Sequence, residues 1–291
     1  MSKQAKFGSS GTVRKLETLA KYADFYTTAL KDKGFRLHYF DGFAGTGTIP
    51  IRAEAPLIEG AVEEETVVLG SAQRALQTRQ PFHRYVFVEK GAQRARELDA
   101  ALASVSTERR ALVTIERDDA NAALLRFCDS LGPMDRALVF LDPFGNQVAW
   151  ETLVAVAATG KIDLWYLFPC WLGVTRQIKN SGEILAQSKD SIDRILGPHD
   201  WEAASIKREA SRQGGLFDPP DEEVIKIATA ESMTRFMIEN MNTIFRGGVL
   251  NGWLPVGKDG RHWFSLLFAC ANPSAKANRL AINRAQQIMR V

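Results

Sequence analysis

The stretch Tyr39-Phe40-Asp41-Gly42-Phe43-Ala44-Gly45-Thr46-Gly47 runs from an apolar segment into an acid and then into a turn with three glycines. Its apolar start, Leu37–Phe40, has the length and composition of a buried strand. The glycines admit positive φ and let backbone N–H groups approach a ligand closely. Their order is G-x-x-G-x-G, not the G-x-G-x-x-G of dinucleotide-binding folds, and no Lys-Ser/Thr pair follows to complete a phosphate-cradling loop. This is a strand end built to meet a ligand, and its glycine order counts against those two common ligand classes.

Upstream, Val13, Leu16, Ala20, Ala23 and Leu30 recur near helical spacing, which predicts a helix over Thr12 to Lys31 with Thr12 as its cap and Gly34 beyond its end. Downstream, the apolar runs Tyr85–Val88, Leu112–Ile115, Ala137–Leu141 and Ile162–Phe168 alternate with helical patterns at Ser71–Arg79, Ala92–Ala103, Ala120–Ser130 and Ala149–Ala158. That alternation predicts a doubly wound, mostly parallel α/β sheet. Val249–Pro255 and His262–Cys270 flank the turn Gly257-Lys258-Asp259-Gly260 and read as a terminal antiparallel hairpin, followed by a helix from about Pro273 to Met289 with Leu280, Ile282 and Ile288 among its apolar residues. One domain over residues 1–291 is expected, with two additions. Residues 48–66, with Pro50, Pro56, Gly60 and Glu63-Glu64-Glu65, read as a solvated loop insertion. Residues 175–239, helical but broken at Gly197-Pro198, Gly214-Gly215 and Pro219-Pro220, read as a helical insertion placed to serve recognition.

Composition adds bounds rather than chemistry. A chain of 291 residues, 45% hydrophobic, buries a sizeable core, and a net charge of +3 is too mild to announce a polyanionic partner. Cys128, Cys170 and Cys270 are odd in number and far apart, so they read as buried thiols rather than as a disulfide or metal framework. His38, His83, His199 and His262 lack metal-ligand spacing. No apolar run reaches membrane-spanning length and the start is polar, so a cytoplasmic location is expected.

Ligands of doubly wound sheets sit beyond the carboxyl ends of the strands. Besides Asp41, three acids fall at such ends. Glu89 follows Tyr85–Val88 and can accept hydrogen bonds from a ribose diol. Asp119, in Asp118-Asp119-Ala120-Asn121, is either an acceptor for an amino group or a helix N-cap. Asp142 opens Asp142-Pro143-Phe144-Gly145, where Pro143 fixes the backbone and Phe144 offers a stacking face beside the carboxylate. Phe168-Pro169-Cys170-Trp171 ends the fifth strand as either a pocket wall or core packing, and Lys258 and Arg261 either touch a polyanion or decorate a turn.

Together the Asp41–Gly47 turn, Gly70-Ser71, Arg74-Ala75-Leu76, Phe87-Val88-Glu89-Lys90 and Asp142-Pro143-Phe144-Gly145 resemble the three-Cys-motif partner protein family, TcmP, over most of the chain, from the N-terminal helix to Leu266-Leu267-Phe268-Ala269. The turn is also similar to the DxFAGxG of RNA guanine methyltransferases, and Asp142–Gly145 resembles the DPFG of tRNA guanine exocyclic-amine dimethyltransferases. The resemblance implies a Rossmann-like class I methyltransferase fold with S-adenosylmethionine as cofactor. Carried over by position, Asp41, Gly45 and Gly47 hold its methionine part, Glu89 its ribose and Asp119 its adenine, with Gly42, Phe43, Ala44, Thr46, Lys90 and Ala120 also in the cofactor site, while Asp142, Pro143, Phe144 and Gly145 face the target amine. The chain departs from the DPPY or NPPY of adenine-amino methyltransferases, since Phe144 follows Pro143 directly, and this counts against adenine.

The leading expectation is an enzyme that methylates a base nitrogen in RNA or DNA. The rival is a methyltransferase-like binding protein that works as partner of a three-Cys-motif, radical-SAM-like protein; methylation of a protein or small molecule is a third class.

Overall fold

The computed structural model describes residues 10–52, 65–210, 222–258 and 260–290. The first helix, α1 (Ser10–Leu30), starts earlier than expected, so Thr12 lies inside it. Its buried stripe is Leu16, Leu19, Tyr22, Ala23 and Tyr26, with Lys15 buried on the same face. These positions, three or four residues apart, form one helical face. Val13, Ala20 and Leu30 from the sequence pattern flank that face and are only half-buried.

Strand β1 (Arg36–Asp41) leads into the glycine turn; β2 (Thr48–Arg52) and β3 (Glu65–Leu69) pair antiparallel. The segment read as a loop, 48–66, thus begins and ends in strands, and its middle, 53–64, lies outside the described residues. The chain continues through α2 (Ser71–Ala75), β4 (Arg84–Val88), α3 (Ala92–Ala101), α4 (Thr107–Arg110), β5 (Val113–Glu116), α5 (Ala120–Ser130), β6 (Asp135–Leu141), α6 (Trp150–Ala158) and β7 (Ile162–Phe168). After β7 come α7 (Ala186–Leu196), α8 (Trp201–Ser205), β8 (Ile206–Ala210), β9 (Glu222–Lys226), α9 (Ala230–Ile244), β10 (Leu254–Val256), β11 (Phe264–Cys270) and α10 (Ala275–Met289).

Seven strands form the main sheet in the order β10-β11-β7-β6-β1-β4-β5. Pairings outward from β1 are parallel until β11, which runs antiparallel to both β7 and β10. This is the Rossmann-like α/β architecture expected, with its terminal hairpin. The hairpin is shorter than its sequence pattern: Val249 makes only an isolated bridge to Ala269, and His262 precedes the strand. Strand order reverses beside β1, between β1 and β6, the position at which doubly wound sheets bind their ligands.

Both faces of the sheet are covered. On one, Tyr22 of α1 packs on Trp165 and Phe268, with ring centroids 5.3 and 4.9 Å away, contacts that each add about 0.5–1.5 kcal/mol beyond burial. On α10, Ala281, Ala285, Ile288 and Met289 are buried and Leu280 is exposed. On the other face, α9 drives Met233, Met237, Ile238 and Met241 into the core that holds Tyr166 and Leu267. The end of the supposed insertion therefore completes the core. Residues 175–239 are not uniformly helical either, since β8 and β9 pair as an antiparallel arm. Cys128, Cys170 and Cys270 are free and buried. Among the described residues, no helix is long and apolar enough to cross a membrane and no cluster of ligands could hold a metal ion.

Candidate functional site

Asp41 closes β1 in register with Phe87 of β4 and Phe140 of β6, so the glycine turn leaves the sheet at its switch point. The turn is tied back by Gly42 N–H to the Phe140 carbonyl and Ala44 N–H to the Val88 carbonyl, both at 3.0 Å. Gly45 has φ +61°, and a Cβ placed there meets no atom within 4 Å. Only glycine takes that conformation without strain, and the space above it is open. The space is the room a ligand needs.

The Asp41 carboxylate is fully buried and accepts from Phe43 N–H at 3.1 Å and Ser71 Oγ at 2.5 Å. Burial pushes its pKa up to about 7; the two hydrogen bonds and Lys15 oppose the rise, and Asp142 adds to it. Glu89, buried at the end of β4, receives Gly91 N–H at 2.6 Å and Arg94 Nε at 2.9 Å, both on Oε1. Asp119 is the N-cap of α5, accepting from Asn121 N–H at 3.0 Å and Nδ2 at 3.1 Å. Burial works against its ionised form, but those hydrogen bonds prevail and hold its carboxyl below the usual range. Exposed Lys90 reaches Asp119 at 3.7 Å, and the buried Ala120 methyl lies 3.6 Å from the position of a Cβ on Gly42.

Asp142, beyond the end of β6, meets a partner that sequence reasoning missed. Lys15 Nζ of α1 donates to Asp142 Oδ2 at 2.5 Å, and Lys15 itself is 5% exposed. The available signal was a lysine set in the buried register between Thr12 and Leu19. Phe144, at the tip of this loop, is 69% exposed, the most exposed large hydrophobic side chain among the described residues. The loop is braced from three sides. Phe144 N–H donates to Gln147 Oε1 at 2.7 Å, Asn121 Nδ2 to the Gln147 carbonyl at 2.8 Å, and Asn146 Nδ2 to the Gly173 carbonyl at 2.7 Å. Like Gly45, Gly145 has positive φ (+118°) and open space where a side chain would stand.

The structure thus lines Asp41–Gly47, Glu89-Lys90, Asp119-Ala120 and Asp142–Gly145 along the ends of four neighbouring strands, β6-β1-β4-β5. A surface pocket of about 280 Å³, lined by Leu69, Gln73, Leu76, Ser106 and Arg109 among others, contains none of them.

Compared by sequence, the chain matches no protein-family model and no curated protein. Compared by structure, it is similar to a Legionella pneumophila protein of family DUF519, at 14% identity over 82% of this chain and 93% of that one, TM-score 0.44. It is also similar to Trm1 from Pyrococcus horikoshii, solved in complex with S-adenosyl-L-methionine, at 12% identity over 90% of this chain and 57% of that one, TM-score 0.43. A third is an rRNA methylase from Streptococcus thermophilus, at 10% identity over 72% of this chain and 92% of that one, TM-score 0.30. Likenesses at these TM-scores assign neither a family nor an activity, so the chemistry has to come from the residues of the site.

Proposed function

We propose that this protein is an S-adenosylmethionine-dependent methyltransferase acting on an exocyclic amine of a nucleic-acid base. The observation that carries the proposal is the pairing of an open glycine turn with a braced, acid-bearing loop across the switch point, Asp41–Gly47 on one side and Asp142–Gly145 on the other. The cofactor fits this donor set. The Gly45 side of the turn has open space, Glu89 keeps Oε2 clear of the two donors on Oε1, and Asp41 stiffens the turn through Phe43 and Ser71. Asp41 through Gly47 would hold the methionine part, Glu89 and Lys90 the ribose, and Ala120 a wall of the adenine pocket. Asp119 spends one oxygen on capping α5 and would serve the adenine with the other.

When bound, the cofactor supplies an electrophilic methyl on a sulfonium. The chain's residues do the rest. An exocyclic amine is a poor nucleophile because its lone pair is delocalised into the ring. Hydrogen bonds from the amine to the Asp142 carboxylate and the Pro143 carbonyl aim that lone pair, Phe144 stacks on the ring, and Asp142 takes up the proton the amine must lose. Carbon methylation of a pyrimidine calls for a nucleophilic cysteine at this loop, and the loop sequence has none.

A second reading is supported by the Lys15–Asp142 pair, which engages the proposed acceptor in the chain alone. A partner protein of the three-Cys-motif class, suggested by the TcmP resemblance, would fit a site that needs α1 shifted before Asp142 is available. Calorimetry with S-adenosylhomocysteine tests the cofactor site: saturable binding is expected, and Gly45→Arg should abolish it by filling the open turn. A folded protein that gives no heat with this ligand overturns the proposal. Mass spectrometry of nucleosides from cells with and without the gene then identifies the methylated base, and the loss of no methylated nucleoside favours the partner reading.

A further inference from the structure

Beyond β7, the sheet end carries a different set of residues. The register Ser265↔Phe168 and Val256↔Phe264 places residues 169–177, 257–258 and 260–263 at the same end of the sheet as Asp41 and Asp142. There Trp171 and Trp263 lie nearly parallel, 19° apart with centroids at 6.4 Å, and the Arg176 guanidinium sits 5.7 Å from the Trp171 ring centre. On the α9 side of the same sheet end, Trp253 and His262 are 11° from parallel at 6.3 Å, with Arg235 5.4 Å from the Trp253 ring centre. The two stacks meet at the consecutive residues His262 and Trp263. All four rings are half-buried, both arginines are exposed, and Ser265 Oγ fixes the His262 ring at 2.8 Å. Exposed Lys258 and Arg261 add positive charge on the adjoining turn, and Glu231 is the acid that faces His262. The ledge is joined to the proposed catalytic loop directly, because Asn146 of that loop bonds the Gly173 carbonyl between Trp171 and Arg176.

Flat rings interleaved with guanidinium groups are the means by which proteins hold unpaired bases and their phosphates. Resting on the base-methylation proposal, we infer that this ledge is a platform for single-stranded nucleic acid, carrying the strand that delivers the target base to Phe144. A base held there is already out of a duplex, which removes the unstacking cost that a paired base would incur.

The test is fluorescence anisotropy with labelled, unstructured RNA and DNA oligonucleotides, an RNA duplex and polyglutamate, over a range of salt concentrations, with cofactor calorimetry run in parallel on every variant. Both single strands, or one of them, should bind more tightly than the duplex or polyglutamate. Trp171→Ala should weaken binding about tenfold, the usual loss for one stacked base, with the salt slope unchanged. The double variant Arg176→Ala/Arg235→Ala, confined to exposed side chains, should lower that slope by roughly 1–2. Cofactor binding should survive in both. Absence of single-strand binding by folded protein, indifference of that binding to both variants, or equal binding of polyglutamate overturns the platform. A wild-type protein that binds oligonucleotide but no cofactor keeps the platform and defeats the methyltransferase proposal instead.

Discussion

The two halves of the sheet end in opposite chemistries. Over β6, β1, β4 and β5 the chain offers carboxylates: Asp142, Asp41, Glu89 and Asp119. Over β7, β11 and β10 it offers Trp171, Trp263, Trp253 and His262 with Arg176 and Arg235. The first half offers acceptors that suit a ribose diol and amino groups, its carboxylates being balanced by Lys15, Arg94 and Lys90, and the aromatic, basic half suits a polyanion with flat bases. A net charge of +3 averages these two surfaces away, which is why composition alone said so little about partners.

The largest effect that would sharpen the contrast is at the boundary between the halves. Asp142→Asn should cut methyl transfer about 100-fold or more with cofactor affinity nearly unchanged, because it removes an acceptor used mainly as the amine reacts. The same change leaves buried Lys15 without its counter-ion, a situation that destabilises proteins. The double variant Lys15→Met/Asp142→Asn separates the two causes: activity should stay low while the melting temperature recovers. Full turnover in either variant removes Asp142 from the mechanism.

A smaller effect lies wholly within the acidic half. Glu89→Ala should weaken cofactor binding by roughly 1–3 kcal/mol, the usual cost of losing a charged acceptor, and leave oligonucleotide affinity unaltered. If calorimetry shows unchanged affinity, the ribose contact belongs elsewhere; if oligonucleotide binding falls equally, the two halves do not act separately.

The last effect is one of pH, read in stability rather than in binding. Burial raises Asp41 from 3.8 to about 7 and Asp163, bonded by Tyr22 at 2.7 Å, from 3.8 to about 6. Between those values the folded state holds protons that the unfolded chain has released. Stability from these groups is therefore greatest at the acidic side of the window and falls as pH rises through it, by at most about 1.4 kcal/mol per pH unit for each group. Denaturant unfolding at several pH values should show that decline, and Asp41→Asn should flatten it toward pH 7. An unchanged slope would mean that Asp41 is ionised in the fold.

The acidic half was the more legible half because its signals are local. An apolar run followed by an acid marks a strand end whatever lies elsewhere in the chain, and Asp41, Glu89 and Asp142 all announce themselves this way. The parallel character of the main sheet, too, followed from alternation, whereas the β2–β3 and β8–β9 pairs did not. What the sequence concealed depends on distant neighbours. Lys15 meets Asp142 across 127 positions, the Trp171–Trp263 pair spans most of the second half, and Asn146 bonds the carbonyl of Gly173. No short-range pattern encodes such pairs. Residues 175–239 misled for a related reason. Helix α9 has the periodicity of any amphipathic helix, and only the sheet it covers distinguishes a core helix from an appended one. Leu280 failed in the reverse sense, an apolar residue on the side of α10 that faces solvent.

Strand β11 enters the sheet last in sequence and lies between β7 and β10, inside the sheet rather than at its edge. During synthesis the acidic half has all four of its strands once residue 141 has emerged, whereas the ledge must wait for residues 262 and 263 to close over β7. Until then β7, buried along its whole length in the finished fold, presents an unpaired apolar edge. The strands that carry Asp41, Glu89 and Asp142 are therefore all made before the edge of β7 can be covered, and an apolar strand edge left open over that interval is a site for pairing with another chain.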